Sequence, residues 1–164
     1  RKLVVAFTDP YYESDLVVVV RADGPYAAAK SLSDLSGARI TGQLNTFHYG
    51  VIAQIPGVKQ EVAMSDFPVM TAALSGGRID GYVSERPGAL SALSAVAANP
   101  QLAFVSFEAG QGFTAEPADT TIAVALRLDS PLLAPINAAL AELTEEARVQ
   151  LMTDALQRQP VAGQ

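Results

Sequence analysis

Short apolar runs alternate along this chain with polar breaks and longer mixed segments. Residues 3–7 form a buried-type run that Thr8-Asp9-Pro10 interrupts. Residues 15–21 hold four consecutive valines, the pattern of a strand covered on both faces. Asp23-Gly24-Pro25 turns the chain, a short helical turn is expected at 32–35, and Ser36-Gly37 closes it. A strand is predicted at 39–44 and a helix at 47–55 begun by Asn45-Thr46 and stopped by Pro56-Gly57. A short strand follows at 60–64, then a helix at 67–75 that Ser65-Asp66 caps and Gly76-Gly77 ends. A strand at 80–84 runs into an alanine- and leucine-rich helix at 87–98, stopped by Asn99-Pro100. Strands at 102–107 and 121–128 flank a glycine-containing loop. Asp129-Ser130-Pro131 opens one helix, Thr144-Glu145-Glu146 another that ends near Gln157, and the tail 159–164 reads as frayed. Between residues 39 and 107 strands alternate with helices, which predicts βαβ units and a mostly parallel sheet.

Composition narrows the classes of function. Of the 164 residues, 49% are hydrophobic and 17% charged, a folded and not a disordered balance. The apolar runs are far too short to span a bilayer. A net charge of −6 argues against a nucleic-acid partner, which needs clustered Lys and Arg. With no cysteine and one histidine, the chain lacks the residues for thiolate chemistry or for a Cys- or His-rich metal site. No cofactor and no metal are expected. The chain opens on Arg1-Lys2-Leu3 and runs directly into a strand, which reads as a piece that starts inside a larger protein.

Two strand-to-helix junctions carry the candidate chemistry. At Asn45-Thr46-Phe47 a first helical turn offers backbone N–H groups without internal partners, reinforced by the helix dipole and the Thr46 hydroxyl. The same residues also read as an ordinary N-cap. At Ser84-Glu85-Arg86-Pro87 an acid ends a strand and begins a helix. Glu85 reads either as an acceptor for a ligand ammonium or as an acid that the dipole favours in a first turn. Junctions of neighbouring βα units lie at one edge of a sheet, where open α/β sheets bind ligands. One attracts an anion and the other a cation, so together they suit a zwitterion. Other polar residues read more plainly. Arg78 and Asp80 are expected to form a surface pair or a turn contact, Arg86 to face solvent, and His48 to be solvated or packed. Tyr11 and Tyr12 suit either a core or a cleft wall. Gly110-Gln111-Gly112 lacks the spacing of a phosphate loop.

Several segments resemble, in order, the bacterial extracellular solute-binding proteins of family 3, the amino-acid receptors of ABC importers. Phe7-Thr8-Asp9-Pro10-Tyr11 is similar to the family's F-S-x-P-Y segment, and Gln43-Leu44-Asn45-Thr46 to its q-x-G-T turn. Gly77-Arg78-Ile79-Asp80-Gly81 is similar to G-r-v-D-A, the stretch 32–40 to the dL-x-G-k-x-V segment, and 122–143 to the closing segment. The resemblance implies an α/β, periplasmic-binding-protein type II-like lobe with a mostly parallel central sheet flanked by helices. It implies the end of a first lobe and a first hinge strand at 1–20, and a second lobe at 21–120. A second hinge strand and C-terminal helices returning to the first lobe would occupy 121–164. Most of the first lobe would be absent, so exposed apolar faces and a homodimer or segment swap are expected.

Carried over, Thr46 and the Phe47 N–H would hold the ligand α-carboxylate and Glu85 its α-ammonium, while Gln43 and Ser84 would touch the ligand side chain. Asn45 stands where the family often has glycine, and Glu85 where it usually has aspartate. The implied function is non-catalytic capture of an amino acid, with permease subunits of the membrane as partners. The implied location is the periplasmic or extracellular side, with a signal peptide in the parent. Two other readings use the same scaffold: a dehydratase-like enzyme with Glu85 as the acid/base group, and a sensory or regulatory effector domain.

Overall fold

Val17, Val18, Val19 and Val20 are at most 1% exposed, and one sheet is built around them. The structure, a computed structural model, describes residues 4–95 and 101–158. The expected Asn99-Pro100 stop, the start at Arg1-Lys2-Leu3 and the tail at 159–164 lie outside the described residues. The strands are β1 (Val5–Phe7), β2 (Tyr12–Glu13), β3 (Leu16–Arg21), β4 (Arg39–Thr41), β5 (Lys59–Gln60), β6 (Gly81–Glu85), β7 (Leu102–Val105), β8 (Thr121–Ile122) and β9 (Ala125–Arg127). The helices are α1 (Phe47–Gly50), α2 (Phe67–Ser75), α3 (Arg86–Ala95), α4 (Pro117–Thr120), α5 (Leu133–Ala141) and α6 (Glu145–Gln157). The described chain divides into two compact units: Asp15–Glu116, and the flanking segments through Ser14 and from Pro117.

The Asp15–Glu116 unit is a five-stranded sheet in the order β5-β4-β6-β3-β7. β4 pairs in parallel with β5 and β6, whereas β3 is antiparallel to both β6 and β7. Four strands therefore share one direction and β3 opposes them, which makes the sheet mixed. The valine run predicted burial on both faces but carries no information on direction. The strand period of two sends Val18 and Val20 into a layer with Leu35, Ile40, Ile52 and Ile55. Val17 and Val19 enter the opposite layer with Met70, Leu74, Ile79 and Tyr82. Each such side chain contributes about 1.5 kcal/mol or more relative to exposure.

Local signals set the helix ends as expected. The Asp66 carboxylate accepts from the Val69 N–H at 3.0 Å, and α2 closes at Gly76 and Gly77, the latter at φ 70°. At 32–35 a 3₁₀ turn forms behind a reciprocal Ser31–Asp34 cap. The expected Arg78–Asp80 pair does not form. Asp80 instead accepts from Arg39 Nη2 at 2.7 Å, Nε at 3.0 Å and the backbone N–H at 2.9 Å. Parallel pairing puts Arg39 beside Asp80, and Arg78 contributes only its carbonyl, at 2.8 Å from Arg39 Nη1. The Arg39 guanidinium holds the Asp80 carboxyl below its usual range.

In the other unit β1 pairs with β9 and β2 with β8, both antiparallel. The single strand expected at 121–128 is split, because its two halves follow partners separated by Asp9-Pro10. Proline cannot donate to a ladder, and the Thr8 hydroxyl accepts from the Val124 N–H at 2.9 Å inside the gap. α5 has no buried residue, and Leu128, Leu132, Val149 and Leu151 are exposed. The boundaries expected at 20/21 and 120/121 fall at Ser14/Asp15 and Glu116/Pro117. The segment expected as a first hinge strand is β3, an inner strand of the larger unit between β6 and β7.

Gly81 opens β6 where a Cβ would lie 2.8 Å from Val18 Cγ1 and 2.9 Å from the Val19 carbonyl oxygen. Backbone on one side leaves little room to yield. Gly81→Ala is expected to cost about 1–3 kcal/mol, read as a lower urea midpoint at unchanged slope. A midpoint equal to wild type would contradict the close packing.

Candidate functional site

Thr41 of β4 lies beside Tyr82 of β6 in parallel register, so the residues after β4 and the end of β6 reach the same carboxyl edge. Adjacent strands lie about 4.8 Å apart. Gly42 permits the turn: a Cβ there would meet Tyr49 Cα and N at 2.9 Å. Gln43 bridges Met64 in parallel and donates from Nε2 to the Ser65 carbonyl at 3.2 Å. Asn45 is exposed and adopts φ 62°, the left-handed region that asparagine tolerates better than most residues. The residue that the sequence resemblance sets against a glycine therefore keeps a glycine-like backbone.

Thr46 precedes α1 with extended backbone, at φ −118° and ψ 159°, and its side chain makes no capping bond. Its hydroxyl instead donates to the Gln43 carbonyl at 2.7 Å. Without a ligand the hydroxyl proton is engaged inside the turn, and the backbone N–H groups of the first turn remain uncapped by it. The helix expected at 47–55 is one α-turn followed by a 3₁₀ segment at Val51–Gln54. Phe47 is partly buried and leans on the hydrophobic layer beneath α1.

Glu85 ends β6 opposite Leu16. Its side chain is partly buried, and it forms no hydrogen bond or ion pair among the described residues. Burial alone pushes its carboxyl pKa up, as expected for a charge that has lost water and gained no partner. Neighbouring Arg86 does not neutralise it. Arg86 pairs with Asp15 at 3.0 Å and its guanidinium stacks over Phe104, 5.5 Å from the ring centre. The expected solvent-facing role of Arg86 is corrected accordingly. An open cavity of about 320 Å³ adjoins this pair, lined by Asp15, Leu16, Arg86, Phe107 and Phe113.

Ser84 departs from expectation. It is 0% exposed, its hydroxyl donates to the Glu85 carbonyl at 3.0 Å, and a Cβ on Gly88 would approach its Oγ to 2.8 Å. Strand alternation turns it away from the face that Glu85 occupies, so it is closed to a ligand. The structure thus brings Gln43, Asn45, Thr46, Phe47 and Glu85 to one sheet edge and removes Ser84. It also adds His48, which is buried with Nδ1 3.3 Å from Thr46 Oγ1. Its place one residue into the turn was visible in the sequence, but its burial depends on tertiary packing. Tyr11 and Tyr12 lie in the other unit, where they line an open cavity of about 270 Å³ with Glu145 and Arg148. Among the described residues no cluster of three or more His, Asp or Glu side chains suits a metal ion.

These features define a periplasmic-binding-protein type II-like lobe with polar groups at the carboxyl edge of its sheet. No protein-family model matches the chain. It is 31% identical over 158 residues to ABC transporter arginine-binding protein 1 of Escherichia coli (strain K12), across 94% of this chain and 60% of that protein. A crystal structure of the substrate-binding protein of an amino acid ABC transporter matches at a TM-score of 0.65 and 26% identity, over 97% of this chain and 66% of that one. Holo ArgBP from T. maritima matches at a TM-score of 0.60 and 30% identity, over 91% and 62%. The chain is thus similar to substrate-binding proteins of amino-acid ABC transporters, and it spans about 60% of the length of the curated protein it matches.

Two outcomes follow from the geometry. Asn45→Gly is expected to keep wild-type stability within a few tenths of a kcal/mol, and Asn45→Val to lose about 1–2 kcal/mol at the left-handed position; equal urea midpoints for the two would refute the strained turn. Glu85 has a raised folded-state pKa, so its ionised form costs stability at neutral pH and that cost disappears as pH falls through the raised value. Glu85→Gln is expected to raise the ligand-free Tm by about 1–2 °C at pH 7, with the gain fading in acid. A gain that persists or grows at low pH would contradict this.

Proposed function

We propose that the chain is the ligand-binding lobe of a receptor that captures an amino-acid zwitterion for an ABC importer, without chemistry. The observation that carries the reading is the partnerless, partly buried Glu85 carboxylate beside the uncapped turn at Thr46, in a chain related to amino-acid-binding proteins. The ligand ammonium meets Glu85, and its carboxylate meets the N–H groups that begin α1, Phe47 included. Gln43 borders the ligand side chain. Each charge is met by a complementary group, which offsets the cost of drying both. L-arginine is the first ligand to test, because the relatives are named for it. Permease subunits of the membrane are the partner, and the periplasmic or extracellular side is the place of action.

Isothermal titration of the full-length protein with the common amino acids tests the reading. Heat with L-arginine or another amino acid is expected, and the ligand should be recovered unchanged, which separates capture from a dehydratase. Loss of the charge-assisted bonds in Glu85→Gln should weaken binding about 10- to 100-fold. No heat with any amino acid, or full affinity in Glu85→Gln, would sink the proposal.

A further inference from the structure

Threonine is a favoured N-cap because its hydroxyl oxygen accepts from an N–H two or three residues ahead. Thr46 occupies that position and does not cap. The one histidine of the chain lies against its hydroxyl. His48 is 9% exposed, its Nδ1 lies 3.3 Å from Thr46 Oγ1, and its Nε2 is buried with no hydrogen-bond partner. The Phe47 ring covers it at 4.2 Å between ring centres.

Counting protons fixes the direction of each bond. The Thr46 hydroxyl has one proton, and the Gln43 carbonyl takes it at 2.7 Å. Thr46 Oγ1 can then meet His48 only as an acceptor, so Nδ1 carries the ring proton and Nε2 is bare. Burial lowers the His48 pKa, and a second proton would leave a buried N–H and a buried charge without partners. The result is a one-way chain from His48 Nδ1–H to the Thr46 hydroxyl to the Gln43 carbonyl.

We propose that His48 is a positioning residue for ligand capture: its Nδ1–H holds the Thr46 hydroxyl on the Gln43 carbonyl and so keeps that hydroxyl from capping the first turn of α1. This rests on the receptor reading of the same turn. Released from His48, Thr46 has a competing rotamer in which Oγ1 takes a first-turn N–H for itself. The ligand carboxylate then competes with an internal cap for the same donor. His48 therefore touches no ligand and acts through Thr46.

Two readouts on the full-length protein test this. Nitrogen-15 NMR of the ligand-free protein should show His48 protonated at Nδ1 and bare at Nε2; the opposite tautomer overturns the inference, whatever the ligand. In titrations with L-arginine, His48→Leu should raise Kd about 5- to 10-fold, the scale of one lost hydrogen bond. His48→Asn, whose amide N–H reaches the Nδ1 position, should restore affinity to within about twofold, and His48→Gln should not. In a Thr46→Val background, where no hydroxyl is left to cap, His48→Leu should have no further effect. Equal Kd values for His48→Asn and His48→Gln, or additive losses in the double variant, indicate packing alone and overturn the proposal. If His48→Leu does not fold, the Asn and Gln pair decides between the same outcomes. A wild-type protein that binds no amino acid overturns the receptor reading and this inference with it, while the Nδ1–H tautomer alone still standing would locate the failure in the receptor reading.

Discussion

Two parallel strands serve one ligand only if their ends stay level, and Arg39 holds β4 and β6 level. Its guanidinium and backbone N–H take the Asp80 carboxylate, while its remaining N–H groups reach the Gly77 and Arg78 carbonyls. These bonds tie the start of β4 to the approach of β6. Two residues past the Thr41–Tyr82 register pair, Gln43 and Ser84 begin the two junctions. A slip of one residue would reverse which side chains face each layer. Val83 and Tyr82, now in opposite layers, would exchange places, and Glu85 would turn into the layer where Ser84 now sits buried.

The site is assembled from local compromises that the rest of the lobe tolerates. Asn45 takes a left-handed backbone, Thr46 declines a cap, and Glu85 loses water without gaining a partner. Each weakens the unliganded lobe a little. The doubly covered valine strand and the close approach of Gly81 to it supply the stability that these compromises spend. Arg86, the nearest cation in sequence, is held by Asp15 and Phe104. Were it free to swing onto Glu85, the carboxylate would be satisfied internally and the proposed ligand ammonium would have to displace it.

Features set by neighbouring residues were legible in the sequence. The Asp66 cap, the Gly76-Gly77 stop and the doubly buried valines each follow from residue type and spacing. The pairing of the two junctions at one sheet edge was legible too, because it needs only βα alternation. Features set across the fold were not. A valine run reads the same in either direction, so the reversal of β3 was hidden. Asp80 chose Arg39 over Arg78 because of a strand neighbour 41 residues away. The break in the segment at 121–128 comes from Asp9-Pro10 on its partners. Ser84 and His48 lie next to partly exposed candidates in sequence, yet packing buries both.

The central claim is that a zwitterion is held by the turn after β4 and the end of β6. Backbone amide chemical shifts of the full-length protein, followed by NMR as L-arginine is added, test it most directly. The account predicts that the largest saturable shifts fall on residues 45–48 and 84–86 within this lobe. Saturable shifts of the lobe that leave both segments unmoved would contradict it.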